Sequence, residues 1–160
     1  MKSFSHLAGV LLVIFSIQIA EASSQVPAIT FQSLQQEVSK EFQRHNFKKV
    51  IQLYRDFKEK QPDQFIPLRV RVAYCQSLAE SGEIEEAIEG ITETLGDVPP
   101  ELNSLKLQYD LANLLFIERR YEEALSIYQK ILLQAAPYNE MQVKVRDRLA
   151  LMKGRDNRKK

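Results

Sequence analysis

The chain has 160 residues, of which 44% are apolar and 27% charged, which is typical of one soluble globular domain. Its formal net charge is only +1, so the overall charge does not favour nucleic-acid binding. After residue 22 the chain holds a single cysteine, Cys75, which excludes an internal disulfide. The fold must therefore be stabilised by packing.

The first 22 residues have the layout of a secretory signal peptide. Lys2 precedes an apolar run from Leu7 to Ala20, and Ala20-Glu21-Ala22 gives a small-x-small cleavage site. The alternative is an uncleaved anchor, but a membrane-spanning helix needs about 20 apolar residues and this run is shorter. We expect cleavage after Ala22, export to the periplasm or the cell exterior, and a short linker over residues 23–30.

Three stretches of the sequence repeat with a period of 37 residues. They are HNFKKVIQLYRDFKEKQP (45–62), GEIEEAIEGITETLGDVP (82–99) and RRYEEALSIYQKILLQAAP (119–137). Phe47, Ile84 and Tyr121 show the spacing of the first apolar position. A fixed period of roughly 20 to 50 residues is the signature of stacked, similar supersecondary units.

Each unit is predicted to be two amphipathic helices joined by a short turn. The leucines from Leu107 to Leu115 follow helical spacing in the third unit. Gly82, in the turn of the second unit, favours the left-handed conformation that ends a helix. Pro62, Pro99 and Pro137 are predicted to end the second helices, because proline has no amide donor and clashes with the preceding turn.

Small residues occupy matching positions of the two helices in the second and third units. Ala87 and Ala124 belong to the second helices, and Cys75 and Ala112 stand twelve residues earlier, in the first helices. Small side chains that face one another allow two helices to pack closely. Cys75 is therefore interpreted as a small buried residue, with a reactive thiol as the alternative.

This pattern resembles the tetratricopeptide repeat, a helix-turn-helix unit of about 34 residues with small residues in both helices. The matching units span residues 31–64, 68–101 and 105–138, about two-thirds of the chain. The resemblance implies an all-α solenoid of about three helix-turn-helix repeats. Val38 and Val50 replace small residues in the first unit, so its helices are expected to be splayed or shifted in register.

In tetratricopeptide arrays the first helices line a concave groove, and the resemblance implies such a groove here. The positions favoured for partner binding are Arg69, Gln76, Lys106, Tyr109, Asn113 and Phe116. Further matching positions are Gln32, Gln35, Ser39, Phe42, Val72 and Ala79. They predict a neutral-to-basic groove with aromatic anchors for a peptide or helix of another protein. For Phe42 and Phe116, packing between units is an equal alternative.

One family function is excluded by the residues at these positions. Members that capture a C-terminal carboxylate use a set of cations and amides in the groove, and Lys106 matches one of them. Asp110 stands where another cation is required, and an aspartate there would repel a carboxylate. An adaptor for C-terminal carboxylates is therefore not expected.

A seventh helix is predicted over residues 139–153. Asn139 and Gln142 have the spacing of a capping box, and Val145 lies in an apolar stripe opposite a charged face. Such a helix caps a solenoid; docking of its stripe on a partner is the alternative. Residues 154–160 form a basic tail, interpreted as a solvated terminus, with contact to an anionic surface as the alternative.

Residues that could support catalysis, a metal or a cofactor are few. His45 is the only histidine beyond residue 22, and it is interpreted as a solvated turn residue. No glycine-rich phosphate loop is present, and Glu122 and Glu123 are interpreted as solvent-facing charge. The sequence therefore predicts a protein without enzymatic activity, cofactor or metal.

Three functional hypotheses follow from these patterns. The leading one is an exported scaffold or adaptor that binds a protein segment within a cell-envelope assembly. The second is a structural subunit that associates with copies of itself. The third assigns function to the basic tail on an anionic surface, and nucleic acid is not expected as a partner.

Overall fold

The computed structural model describes residues 30–98, 104–136 and 139–156, and for Arg155 and Asp156 it describes the backbone only. The predicted signal peptide, most of the linker, Pro99, Pro137 and the end of the basic tail lie outside the described residues. Within those ranges every regular element is a helix, so the prediction of an all-α protein is confirmed. None of these helices is long and apolar enough to cross a membrane.

Seven helices follow one another along the described ranges. They are α1 (Phe31–Gln43), α2 (Phe47–Lys60), α3 (Leu68–Ser81), α4 (Ile84–Asp97), α5 (Leu105–Ile117), α6 (Tyr121–Gln134) and α7 (Glu140–Asp156). The starts of α1, α3 and α5 are 37 residues apart, and so are the starts of α2, α4 and α6. The period in the sequence is therefore the period of the helix pairs.

The helices pack in chain order, as in a solenoid. Each helix from α1 to α7 contacts the next one. In addition, the first helices α1 and α3 contact each other, and the last helix α7 contacts α5. The first helices of the pairs therefore lie along one side of the stack. This placement can bring residues about 37 positions apart to one surface.

The turn inside each pair ends the first helix in the same way. His45, Gly82 and Arg119 stand at equivalent positions and have positive φ angles of 56°, 84° and 64°. In each turn the next backbone N–H donates, over 2.9 Å, to the carbonyl five residues earlier. This is the Schellman arrangement, which confirms the conformation predicted for Gly82. The other two turns hold a non-glycine residue in the strained left-handed region.

One apolar core extends from α2 to α7. Ala87, Ala112 and Ala124 are completely buried in it, and Cys75 is 2% exposed. A Cβ atom placed on Gly90 of α4 would lie 2.8 Å from the Cys75 sulfur, so α3 and α4 approach closely there. Cys75 is thus a buried small residue, and burial raises the pKa of its thiol to about 11.

The first unit accommodates its larger residues inside the packing. Val38 is 1% exposed and Val50 is fully buried, although both stand where the other units have small side chains. Leu34 on α1 and Phe57 on α2 are buried as well. The first pair therefore buries valines at positions where the second and third pairs bury smaller side chains.

Helix α7 is joined to α6 through its first turn. Asn139 Oδ1 accepts hydrogen bonds from the backbone N–H groups of Met141 (2.7 Å) and Gln142 (3.1 Å), which confirms the predicted cap. The Gln142 side chain does not complete a capping box. Its Nε2 donates to the carbonyl of Ala135 over 3.2 Å and so satisfies the end of α6.

Candidate functional site

The first helices enclose a cleft of about 500 Å³. Its walls come from the end of α1 and the start of α2, from α3, and from α5. Residues from all three pairs therefore meet in it, because the 37-residue period aligns the first helices. Pockets of this size are large enough to hold several side chains of a bound segment.

Three of the six residues favoured from the sequence line this cleft. They are Gln76 from α3 and Lys106 and Asn113 from α5. Phe42 and Ala79, which also match groove positions, line it as well. Five of the eleven residues that line the cleft are therefore first-helix positions that the resemblance indicated.

The other three favoured residues lie elsewhere. Arg69 is exposed on α3 outside the cleft lining. Tyr109 is half-buried, with its ring 6.0 Å from that of Tyr128 on α6. Phe116 is half-buried, with its ring 5.4 Å from that of Tyr121 on α6, so it packs within its own pair.

An aromatic cluster forms one end of the cleft. Phe47 has its ring centroid 5.9 Å from that of Phe42 and 5.7 Å from that of His45, both in edge-to-face geometry. His45 is exposed, in agreement with the prediction of a solvated turn residue, and it also lines the cleft. Phe47 was not predicted to belong to the site, because it begins a second helix and only the packing of the helices shows that it reaches the cleft.

The polar side chains of α5 that line the cleft are paired within the chain. Lys106 Nζ lies 2.9 Å from Asp110 Oδ2, one helical turn along α5, and Gln76 Nε2 donates to the same oxygen over 3.4 Å. Asn113 Oδ1 accepts a hydrogen bond of 2.8 Å from the Tyr128 hydroxyl. The cleft therefore differs from the predicted neutral-to-basic groove, because Asp110 compensates the charge of Lys106 and Glu80 adds a further carboxylate to the lining.

A second polar cluster joins the first and second pairs. Arg55 contacts Glu83 (2.7 Å) and Glu86 (2.6 Å), and the Tyr74 hydroxyl donates to Glu86. These hydrogen bonds, first from Tyr74 and then from Arg55, lower the pKa of the Glu86 carboxyl. Tyr74 also stacks on Tyr54 with ring centroids 3.9 Å apart. Because its charges are already paired, this cluster fastens the two pairs together.

No protein-family model matches this sequence, and no curated protein matches it. The resemblance to tetratricopeptide repeats therefore stays a prediction from the residue pattern. Among the described residues, no group of histidine, cysteine, aspartate and glutamate is placed to hold a metal ion.

Proposed function

We propose that this chain is an exported, tetratricopeptide-like scaffold or adaptor that binds a segment of another protein in the cleft between its first helices. The observation that carries this proposal is the cleft of about 500 Å³, to which all three helix pairs contribute side chains. A groove that mixes aromatic and polar residues suits a peptide or helix, since aromatic side chains tend to supply binding energy.

Export is part of the same proposal. It is supported by the basic start, apolar run and small-x-small site of residues 1–22, which are typical of a secretory signal. The partner would then be a protein of the periplasm or of the cell envelope. The proposed role is non-enzymatic, since it requires only recognition of a segment.

Site-specific photo-crosslinking in the native host tests this function. A photoreactive amino acid at Ala79, inside the cleft, is compared with one at Gln129, an exposed position on α6. A discrete adduct with another protein from Ala79 alone is the expected result. Adducts from both positions, or from neither in a folded exported chain, would contradict binding in the cleft.

Self-association is a second candidate, favoured by exposed apolar residues on the last helix. Val143 and Leu151 of α7 are 54% and 57% exposed, and no further helix follows α7 within the described residues. Sedimentation equilibrium over a range of concentrations tests it. A mass that rises with concentration, and that returns to the monomer value in Leu151→Lys, would favour this candidate over a monomeric adaptor.

A further inference from the structure

One of the charged side chains that line the cleft has no ion-pair partner there. Lys106 and Asp110 form an ion pair with each other at 2.9 Å. Glu80, at the end of α3, also lines the cleft, and it has no ion-pair partner among the described residues. A cationic group that enters the cleft would therefore meet a carboxylate free to pair with it.

The helix pair that carries Glu80 is itself acidic. Residues 68–98 hold seven acidic residues and two arginines, a formal charge of −5. Residues 30–64 carry +2 and residues 104–136 carry no net charge, so the negative charge is concentrated in the middle of the stack. Glu80 is the only one of these seven acids among the residues that line the cleft, and the other six lie on α4 or in the turn before it.

The uncharged lining of the cleft favours an apolar side chain next to that cation. Phe42 and Phe47 form the aromatic end, and Ala79 and Leu114 add apolar surface. Aromatic faces attract lysine and arginine as well as apolar groups. Asn113 uses its Oδ1 for Tyr128, and its amide nitrogen has no acceptor among the described residues, so it can donate to a backbone carbonyl of the segment.

We infer that the segment bound in the cleft is basic, with a lysine or arginine placed against Glu80 and an adjacent apolar side chain placed against Phe42 and Phe47. This inference rests on the proposed function, since it names the kind of segment that the same cleft would take. Charge complementarity selects this occupant over an acidic segment, which would face the unpaired carboxylate of Glu80.

Selection of short random peptides displayed on phage, with the purified chain as bait, tests the inference. The probes measured afterwards are the selected peptides themselves, by fluorescence anisotropy at low and at physiological salt. We expect peptides in which lysine or arginine stands beside an aromatic or aliphatic residue. Glu80→Gln should weaken their binding about two- to fivefold, the range of one exposed ion pair. Glu80→Lys should weaken it more than about tenfold.

Glu89 supplies the matched control. It is an exposed acid of α4 in the same helix pair, it does not line the cleft, and Glu89→Lys changes the net charge by the same amount. Equal losses for Glu80→Lys and Glu89→Lys would overturn the inference, because they would show attraction by net charge alone. Circular dichroism and thermal unfolding confirm that both variants are folded, as expected for exposed side chains.

The outcomes separate the inference from the proposed function. The inference would be overturned by selected peptides that carry no basic residue but lose their binding on the cleft-filling substitution Ala79→Phe. That result would leave the proposed function standing. Peptides whose binding survives Ala79→Phe, or a selection that yields none, would overturn both. Basic peptides that depend on Glu80 and not on Glu89 would support both.

Discussion

At the scale of single residues, the three turns within the pairs share one left-handed backbone conformation, but a different type of residue adopts it in each turn. Gly82 adopts φ of 84° without strain, whereas Arg119 holds φ of 64° with a side chain attached. For a residue with a Cβ atom, the left-handed conformation costs about 1–2 kcal/mol, because Cβ approaches the following carbonyl oxygen. The hydrogen bonds of the Schellman turn and the packing on both sides must offset this cost at Arg119.

We therefore expect opposite effects from two substitutions. Arg119→Gly should raise the free energy of unfolding by about 0.5–1 kcal/mol, since relief of strain exceeds the extra entropy of glycine in the unfolded chain. Gly82→Ala should lower it by about 1 kcal/mol. Urea denaturation followed by circular dichroism measures both. A destabilised Arg119→Gly would mean that the side chain, and not the backbone, is what this turn requires.

Glu86 gives a prediction on pH. The Tyr74 and Arg55 hydrogen bonds lower its pKa in the folded state from 4.5, so they stabilise the fold above about pH 4.5 and lose this effect as the carboxyl is protonated at lower pH. Glu86→Gln should lower the free energy of unfolding by about 1 kcal/mol at pH 7. The difference from the original chain should be smaller at pH 3 than at pH 7, as judged by urea denaturation at both pH values.

The control for Glu86 is Glu89→Gln on the same helix. Glu89 is exposed and has no ion-pair partner among the described residues, so its substitution should leave stability unchanged within about 0.5 kcal/mol at both pH values. A deficit of Glu86→Gln that persisted unchanged at acidic pH would refute the ionic origin of its contribution.

At the scale of helices, α3 and α4 approach each other closely at Gly90. Gly90 has no Cβ atom, and one placed there would lie 2.8 Å from the sulfur of Cys75, which is closer than such atoms come in practice. Alanine is otherwise favoured over glycine within a helix by about 1 kcal/mol. The steric cost and the helix preference therefore act in opposite directions at this position.

Gly90→Ala should be destabilising alone and stabilising in the background of Cys75→Ala, by up to about 1 kcal/mol in the second case. The sign changes because removal of the sulfur makes room for the new methyl group. A double-mutant cycle from urea denaturation measures the coupling. Additive effects of the two substitutions would show that the helices move apart at no cost.

The thiol of Cys75 offers an independent check on the same contact. Burial to 2% exposure and a pKa raised to about 11 leave little thiolate at neutral pH, so the folded chain should react with a disulfide reagent far more slowly than the chain in urea. The rate of the Cys75 reaction is measured as the increase in absorbance on addition of an aromatic disulfide reagent, with and without denaturant. Equal rates would restore the alternative of a reactive cysteine.

At the scale of the whole molecule, each helix packs chiefly on its neighbours along the chain. In such a stack stability is close to a sum of unit and neighbour contributions, and damage at one end need not reach the other. Val145 is the fully buried residue by which α7 covers the third pair, whereas Val143 on the same helix is 54% exposed. These two valines allow the same substitution to be made inside and outside the packing.

Val145→Ala should cost about 2 kcal/mol, and Val143→Ala should stay within about 0.5 kcal/mol of the original stability. Hydrogen exchange read by mass spectrometry locates the effect. We expect faster exchange in α5, α6 and α7 of Val145→Ala, with α1 and α2 unchanged. Uniformly faster exchange would indicate that the stack unfolds as a single cooperative unit.

The fold could be predicted from the sequence because its helix pairs repeat with a fixed period. The positions of Phe47, Ile84 and Tyr121 gave the period, and all three begin a helix. The residues that line the cleft were harder to predict from the sequence, because they depend on where the helix ends and turns of different pairs meet. The pairing of Lys106 with Asp110 could have been inferred from their spacing of four residues on a helix, whereas the contacts of Phe47 required the fold.

The constant 37-residue step between helix starts also bears on how a chain of this kind can lengthen. A tandem duplication of residues 68–104 would insert one complete helix pair and keep every later helix in phase. Only one new interface would arise, between the second pair and its own copy, and all other neighbours would be retained. Such a duplication would extend the row of first helices by one, and it would add −6 to the net charge of the chain, because residues 68–104 also include Glu101.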